Sequence, residues 1–307
     1  MRLYTIEVNG KEQVAVEIKE QMYTLETLGI QVSDMNDLIV RWGELERPLR
    51  EKVADVELEK RVEGSADGVN DDGLAVAGGY KVLAPIVKPM QDIVCLGVNY
   101  HEHIEETTDI IDFTKKTDAV YFSKRVNYCT VPDGIIPNYD FVDKLDYEVE
   151  LGAILKADAF QVKKEDAGSY IFGYTIINDV SARDIQMKHQ QWYLGKSLDG
   201  YTPMGPCIVT VDEIGDAHDL DIRCFVNGEK RQDSNTGFMI TSIEAAIAEL
   251  SQGMTLAKGT VIASGTPGGV GLGMTPPVFL KANDVIRCEI EKIGVLENSV
   301  GKKKRIL

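Results

Sequence analysis

Alternating acidic and apolar residues in the segment DYEVEL, residues 146–151, constrain the fold of this chain more than any other feature. Successive side chains of a strand point to opposite faces, so Glu148 and Glu150 project from one face, roughly 7 Å apart, and the apolar side chains between them line the other. Two acids on one face are compatible with a half-solvated strand. They can also bind a cation, and the residues that follow favour this second interpretation.

A third carboxylate, Asp179, follows the apolar run YIFGYTIIN at 170–178. The run is rich in β-branched and aromatic residues, which predicts a buried strand that delivers Asp179 to its edge. Mg²⁺ and Mn²⁺ prefer oxygen ligands, and Mg²⁺ usually keeps waters that a substrate can displace. Glu148, Glu150 and Asp179 therefore form a candidate divalent-metal site with open positions.

The segment NDVSARDIQ at 178–186 adds polar side chains next to this site. If a helix follows Asp179, then Asp179, Arg183 and Gln186 have the spacing i, i+4 and i+7 and share one stripe. A solvated ion pair is the alternative interpretation. The preceding apolar strand favours burial, and buried charges require partners or a metal.

The segment CLGVNYHEHIEE at 95–106 places His103 three residues before Glu106. On one helical face, the carboxylate can orient the imidazole and raise its basicity, so the pair is a candidate base that activates water. His101 lies beside it, but only His103 has a glutamate three residues on. Such pairs also occur on surfaces, so this dyad gains significance only next to the predicted metal.

Two segments are rich in glycine and proline: WYLGKSLDGYTPMGP at 192–206 and ASGTPGGVGLG at 263–273. Glycine lets the backbone approach a ligand closely, so residues 265–271 could offer N–H groups and the Thr266 hydroxyl to a carboxylate. A tight turn is the alternative. Neither segment has the phosphate-binding or dinucleotide-binding glycine pattern, and we expect no organic cofactor.

The chain resembles the fumarylacetoacetate hydrolase superfamily, in particular its branch of acylpyruvate hydrolases and oxaloacetate decarboxylase-like proteins. The resemblance covers roughly residues 90–300 and rests on ordered motifs: GVNYHEH with Glu106, LDYEVELGAIL, FGYTIINDVSARDIQ, GKSLDGYTPMGP, SGTPGGVG and NDVIRCEIEKIGVLEN.

The resemblance implies a role for each residue of the predicted site. The metal, Mg²⁺ or Mn²⁺ (Ca²⁺ in a crystal), would be bound by Glu148, Glu150 and Asp179. The catalytic residues would be His103, Glu106 and Lys196. The substrate-binding residues would be Arg183, Gln186 and Thr266.

The resemblance also implies an enzyme that acts on a small anionic 2-oxo acid. The leading hypothesis is metal-dependent cleavage of a carbon–carbon bond in an acylpyruvate or fumarylacetoacetate-type substrate, because a metal on the 2-oxo oxygen stabilises the developing enolate. The alternatives are oxaloacetate decarboxylation, and isomerisation or hydrolysis of a related 2-oxo sugar acid or dicarboxylate. A non-catalytic metal-binding protein would have no use for the dyad or for Lys196. Residues 104–125 correspond to a region that commonly forms a lid in the family.

The net charge and the cysteine content limit which binding partners and which cellular compartment the sequence is compatible with. With 33 basic and 49 acidic residues the net charge is −16, which argues against nucleic acid and anionic membranes. Five dispersed cysteines without a CxxC pair are typical of reduced thiols. The N-terminus lacks a signal-peptide layout and no apolar run is long enough to span a membrane, so we expect a cytoplasmic protein.

The pattern of elements predicts an α+β fold that is predominantly mixed β. Residues 1–79 are predicted to form a small α+β domain with a linker at 63–79, including a helical stretch from Asn36 that lies before Pro48. Residues 80–307 are predicted to form the catalytic domain, with one clear helix at 242–253. The resemblance implies a rolled β-sandwich for this domain, and a homodimer.

Overall fold

The computed structural model describes residues 1–63, 75, 76, 79–108 and 118–304 of the chain. Strands dominate these residues, as the sequence predicted. The strands are β1 (Arg2–Val8), β2 (Lys11–Ile18), β3 (Gln21–Thr24), β4 (Lys81–Val82), β5 (Ile93–Gly97), β6 (Val120–Lys124), β7 (Ile135–Tyr139), β8 (Leu145–Asp146), β9 (Val149–Leu155), β10 (Ile171–Asn178), β11 (Ser181–Ala182), β12 (Met204–Thr210), β13 (Asp221–Val226), β14 (Glu229–Asn235), β15 (Val261–Ala263), β16 (Val285–Ile290) and β17 (Gly294–Lys304).

The helices are few, and most of them are short. They are α1 (Met35–Val40), α2 (Trp42–Glu63), α3 (His101–Thr107), α4 (Lys164–Ala167), α5 (Arg183–Lys188), α6 (Tyr193–Lys196), α7 (Val211–Ile214) and α8 (Ile243–Leu250). No helix among the described residues is both long and apolar enough to cross a bilayer.

The strands form two large mixed sheets and one small one. The largest has the order β3-β2-β1-β12-β10-β9-β15-β5-β6, with β4 on β1; the second has the order β14-β13-β16-β17-β7, and β11 pairs with β8. Every residue of β9 and of β10 is buried, since both strands lie inside the large sheet. This central pair carries the acidic residues of the predicted site at its end.

The N-terminal strands extend the same large sheet. β1 pairs with β12 through Arg2 opposite Val209 and Leu3 opposite Ile208. The ring of Trp42 packs edge-on against Phe172 of β10, with centroids 4.7 Å apart. The sheet is therefore continuous between the two predicted domains, and their boundary at residue 79 stays a prediction.

Two predicted helices can be compared with the structure. The helix at 242–253 is confirmed as α8, with the Ser242 hydroxyl accepting from the Ala245 N–H at its start. The prediction that the N-terminal helical stretch lies before Pro48 is wrong, because α2 continues past this proline to Glu63. Proline costs helix stability, and the buried apolar face of α2, including Leu49 and Val56, offsets that cost.

Two predicted loops fall partly outside the described residues. Most of the linker at 63–79 and residues 109–117 of the predicted lid are among those not described. The prediction of a lid is wrong for Val120–Lys124, which forms β6 and pairs antiparallel with β5 in the large sheet. The strand β6 begins with three apolar or aromatic residues and ends in the buried Lys124. The segment around it is polar, so the sequence did not indicate a strand there.

Candidate active site

The three predicted metal ligands converge at one end of the β9–β10 pair. Glu150 lies opposite Ile177 in the antiparallel register, and the Asp179 N–H donates to the Glu148 carbonyl at 2.8 Å. One carboxylate oxygen from each acid lies within 4.8 Å of the other two. All three are at most 4% exposed. Hydrogen bonding between neighbouring strands therefore forces three acids into a space that one ion could share.

Three buried cations surround this acid triad (Glu148, Glu150 and Asp179). Lys196 Nζ donates to Glu148 Oε2 at 2.7 Å and to Asp179 Oδ2 at 2.6 Å. Arg183 Nη1 lies 2.7 Å from Glu148 Oε1. Lys124 Nζ donates to Asp179 Oδ1 at 2.5 Å and to the Val180 carbonyl at 3.1 Å. The cations offset part of the negative charge that burial concentrates here.

The cations are distributed unevenly over the triad. Burial opposes the ionisation of Glu148, but Lys196 and Arg183 outweigh it and lower its pKa to about 2. Burial raises the pKa of Glu150 well above its usual value, and the charges of Asp179 and Glu148 raise it further. Among the described residues, the Glu150 carboxylate accepts from the Gly265 N–H at 2.9 Å and pairs with no lysine or arginine.

This uneven distribution fits a divalent cation. An ion shared by the three acids would supply Glu150 with the positive charge that the protein gives to Glu148 and Asp179. Carboxylate oxygens are the donors that Mg²⁺ and Mn²⁺ prefer. The residues present therefore suit the predicted ion, and their role as its ligands stays a prediction.

Arg183 and Gln186 reach the site by a different route from the one predicted. The prediction that a helix begins directly after Asp179 is wrong: β11 intervenes, and α5 begins at Arg183. Pairing of β11 with β8 favours an extended backbone there, because it satisfies the N–H and C=O groups after Asp179. Arg183 and Gln186 are then one helical turn apart, with Arg183 Nη1 donating to Gln186 Oε1 at 3.2 Å.

Asp146 holds Arg183 in place. Its carboxylate accepts from Arg183 Nε at 2.8 Å, from the Gly271 N–H at 2.8 Å and from the Leu272 N–H at 3.0 Å. Arg183 Nη2 is buried with no hydrogen-bond partner among the described residues. A fixed guanidinium with one unused donor group is suited to bind an anion that enters the cavity.

The predicted dyad forms on α3. His103 Nδ1 lies 2.7 Å from Glu106 Oε1, and Glu106 Oε2 accepts from the Gly269 N–H at 2.7 Å. His103 is 7% exposed and lines the same cavity as Glu148 and Glu150. His101 is exposed. The structure therefore brings His103, rather than its neighbour, next to the acid triad.

The glycine-rich loop after β15 donates backbone N–H groups to carboxylates, as its composition suggested. The carboxylates belong to side chains of the protein itself. Gly265, Gly269 and Gly271 donate to Glu150, Glu106 and Asp146 in turn. Gly265 has a φ of +88°, and a Cβ there would lie 2.7 Å from the Asn99 Cβ. Glycine is needed at this turn both for its conformation and for space.

Thr266 is already engaged in the protein's own hydrogen bonds. Its hydroxyl donates to the Val149 carbonyl at 2.9 Å and accepts from Gln232 Nε2 at 2.7 Å. Gln232 Oε1 in turn accepts from the Val149 N–H at 3.1 Å. Thr266 lines the cavity, but its single proton is committed, so a contact with substrate would have to use the hydroxyl as an acceptor.

Sequence reasoning missed three residues of this arrangement: Lys124, Asp146 and Gln232. Asp146 could have been found, because it lies two residues before Glu148 in DYEVEL and strand alternation puts both on one face. Lys124 and Gln232 carry no comparable local signal. Their positions follow from sheet pairing between segments that are distant in sequence.

A cavity of about 40 Å³ lies against the acid triad. Its polar side is formed by His103, Glu148, Glu150, Arg183, Gln186, Lys196 and Thr266. Its apolar side includes Leu96, Phe122, Trp192 and Leu272. The space is small and mostly enclosed by side chains, so it suits a small polar molecule with an apolar wall on one side.

Comparisons with known proteins show the family of this chain. The family described as "Fumarylacetoacetate (FAA) hydrolase C-terminal" matches residues 92–301. The chain is 42% identical to oxaloacetate tautomerase YisK of Bacillus subtilis over 222 residues, 72% of this chain and 73% of the relative.

Two solved structures share the fold. Fumarylacetoacetate hydrolase from Exiguobacterium antarcticum has a TM-score of 0.77 and 34% identity, covering 99% of this chain and all of that one. Maleylpyruvate hydrolase from Sphingobium sp. SYK-6, solved with manganese(II) and pyruvate, has a TM-score of 0.72 over 99% of this chain and all of that one; at 24% identity it shows the fold alone. The extent of the family match and the identity to relatives identify this chain as a member of the fumarylacetoacetate hydrolase family.

Proposed function

We propose that this protein interconverts the enol and keto forms of oxaloacetate or a closely related 2-oxo dicarboxylate. The observation that carries the proposal is that His103, which is hydrogen-bonded to Glu106, lines one small cavity together with Glu148 and Glu150, two of the three buried acids of the triad. Such a site can hold a proton-transfer group beside an anchored 2-oxo acid. The relative from Bacillus subtilis is named an oxaloacetate tautomerase.

A divalent metal ion would anchor the 2-oxo acid in the site. A Mg²⁺ or Mn²⁺ ion bound by Glu148, Glu150 and Asp179 would supply Lewis-acid polarisation of the 2-oxo group. The protein adds fixed positive charge: Arg183 offers its unpaired Nη2 to a substrate carboxylate, and Lys196 remains charged because its pKa is raised, burial being outweighed by Asp179 and Glu148. These groups draw an anionic substrate into a protein of net charge −16.

The dyad would move the proton. A Glu106 carboxylate accepts from Nδ1, so neutral His103 carries its hydrogen there and leaves Nε2 free to take a proton. In ketonisation, Nε2 accepts the proton of the enol hydroxyl and the imidazolium returns a proton to the neighbouring carbon, which leaves the net proton count unchanged. Glu106, held by the Gly269 N–H, stabilises the transient positive charge on His103.

Carbon–carbon cleavage is the second candidate, and the same dyad supports it. His103 could activate water to attack the distal carbonyl of an acylpyruvate, while decarboxylation of oxaloacetate needs no attacking water. All three reactions pass through an enolate of the 2-oxo acid. The relative from Bacillus subtilis that is named an oxaloacetate tautomerase favours the first candidate.

The decisive experiment follows tautomerisation and carbon–carbon cleavage in the same sample. Enol oxaloacetate is diluted into buffer with the protein and Mg²⁺, with Mn²⁺, or with a chelator, and the loss of enol absorbance is recorded beside the release of pyruvate. We expect metal-dependent loss of enol without stoichiometric pyruvate. Release of pyruvate as fast as the enol disappears would identify cleavage instead, and an acylpyruvate panel would then separate hydrolysis from decarboxylation.

We also propose that the enzyme works as a cytoplasmic homodimer. The support is the family resemblance, together with a cysteine content typical of reduced thiols. Light scattering on the purified protein tests the dimer, and a particle of about 34 kDa, the mass of one chain, would contradict it.

A further inference from the structure

Trp192 lies between two cavities. The inner one, of about 40 Å³, adjoins the acid triad, and the outer one, of about 500 Å³, lies beyond it. Both are lined by Phe122, Gln186, Met187 and Trp192. The indole thus forms part of the wall that divides a small reaction space from a larger open one.

The position of the indole is fixed from two sides. Its ring packs edge-on against Phe122, with centroids 5.1 Å apart and an interplanar angle of 72°. It also lies directly on Gly97, where a Cβ would come within 2.2 Å of the indole Cζ3. Glycine at the end of β5 is therefore required for the ring to occupy this place.

The backbone of Trp192 is tied to the reactive end of the site. Trp192 is the N-cap of α6, and its carbonyl accepts from the N–H of Lys196, the last residue of that helix, at 3.1 Å. Lys196 Nζ in turn contacts the acid triad. One short segment therefore supplies both a charge for the reacting end of a substrate and an aromatic barrier at its far end.

The outer cavity suits an uncharged chain. Its described lining comprises Val120, Tyr121, Phe122, Gln186, Met187, Gln190, Gln191 and Trp192, which include aromatic, aliphatic and amide side chains and no ionised group. The charged groups of the site, Arg183 and Lys196, line only the inner of the two cavities. Among the described lining residues, a second carboxylate would find no charged partner beyond the indole.

We propose that Trp192 determines substrate specificity by limiting the length of the 2-oxo acid. With the indole in place, the inner cavity accepts short 2-oxo acids; without it, the two cavities join and a neutral chain extends into the outer one. The inference rests on the proposed function only in placing the 2-oxo acid end of the substrate at the acid triad.

The experiment measures binding, so that it does not depend on turnover. Pyruvate, 2-oxohexanoate and 2-oxooctanoate are titrated calorimetrically into the Mg²⁺-loaded wild type and into Trp192→Ala, Trp192→Phe and Tyr193→Ala. Tyr193 is the matched control, since it is the next residue, is 44% exposed and lines neither cavity. We expect the affinity for 2-oxooctanoate relative to pyruvate to rise about tenfold or more in Trp192→Ala, and to stay unchanged in Tyr193→Ala.

Gly97→Ala perturbs the same contact from the other side. Its methyl group would overlap the indole and displace it, so the relative affinity should change in the wild-type background and change no further in a Trp192→Ala background. An unchanged chain-length preference in a folded Trp192→Ala protein, or an equal change in Tyr193→Ala, overturns the proposal. The enol assay on the wild type tests the proposed function separately. If that assay shows no tautomerase activity but the binding preference still shifts in Trp192→Ala, the tautomerase is refuted and the role of Trp192 stands.

Discussion

Two histidine–glutamate pairs in this protein have the same bond length and very different surroundings. His103 Nδ1 lies 2.7 Å from Glu106 Oε1, and His218 Nε2 lies 2.7 Å from Glu244 Oε2. The side chains of the first pair are 8% and 16% exposed, and His103 lines a cavity together with Glu148 and Glu150 of the acid triad. The second is 35% and 20% exposed and lines an open surface cavity.

The difference teaches that the bond alone does not make a catalytic pair. In both pairs a carboxylate orients an imidazole. At the first pair, Glu106 accepts a hydrogen bond from the Gly269 N–H, and the buried cations Arg183 and Lys196 line the same cavity as His103. The described lining of the second cavity contains the exposed Lys164 instead. The surroundings, rather than the dyad, decide where a proton can be delivered to a bound anion.

Removing each imidazole should separate the two pairs most strongly. We expect His103→Ala to lower kcat for oxaloacetate ketonisation roughly 10²- to 10⁴-fold, because the group that carries the proton is lost. His218→Ala, the matched control, should retain the wild-type rate. Steady-state kinetics with Mg²⁺ measures both variants.

The outcome also bears on the second candidate function. If the protein cleaves acylpyruvates, His103→Ala should abolish hydrolysis and leave some decarboxylation, because only hydrolysis needs an activated water. Equal rates for His103→Ala and wild type in the ketonisation assay would remove the dyad from the mechanism.

A buried and an exposed lysine–aspartate pair extend the comparison to stability. Lys124 is 1% exposed and bonds Asp179, whereas Lys230 is 49% exposed and bonds Asp233. We expect Lys124→Met to cost about 3 kcal/mol in the free energy of unfolding, because it removes a buried partner from Asp179. Lys230→Met should cost less than about 1 kcal/mol.

Urea unfolding of both variants in the presence of a chelator measures this difference without a bound ion. Similar losses for the two lysines would show that the charges around the triad are better solvated than their burial implies. Lys124 would then have no special role in holding Asp179.

Neutralising the carboxylates is the next test of the two pairs. In Glu106→Gln the side chain can still accept from Nδ1, but it no longer stabilises an imidazolium, and its amide group meets the Gly269 N–H less favourably. We expect kcat to fall roughly 10- to 100-fold. Glu244→Gln is the control and should be fully active; a comparable fall there would indicate damage to the fold.

The sequence predicted which residues meet in the site better than it predicted the strands and helices that carry them. Strand alternation and an apolar run brought Glu148, Glu150 and Asp179 together, because both signals are local. The single strand expected at 146–151 was wrong, because the chain leaves the sheet at Tyr147 and Glu148, between β8 and β9. The helix expected after Asp179 was wrong, because pairing of β11 with β8 is a non-local effect. Lys124 was missed for the same reason. It lies on the edge strand β6, which is brought next to the triad by sheet pairing, and its sequence alone resembles a polar loop.

The smallest expected effect concerns the exposed pair and its dependence on pH. The hydrogen bond to Glu244 raises the pKa of His218, and although burial opposes ionisation of Glu244, the bond to His218 lowers the pKa of that carboxyl overall. The histidine contribution is fully present below about pH 6.5 and is lost as pH rises through its folded pKa. The glutamate contribution is present above about pH 4.3 and is lost as pH falls.

The pair should therefore stabilise the fold most between about pH 5 and pH 6.5. We expect His218→Gln to cost more in the free energy of unfolding at pH 6 than at pH 8.5, by less than about 1 kcal/mol because the pair is partly solvated. Urea unfolding at the two pH values measures this, with the exposed His189→Gln as control. A cost that grows towards pH 8.5 would mean that His218 is bound in its neutral form, and would make the two histidine–glutamate pairs more alike than their surroundings suggest.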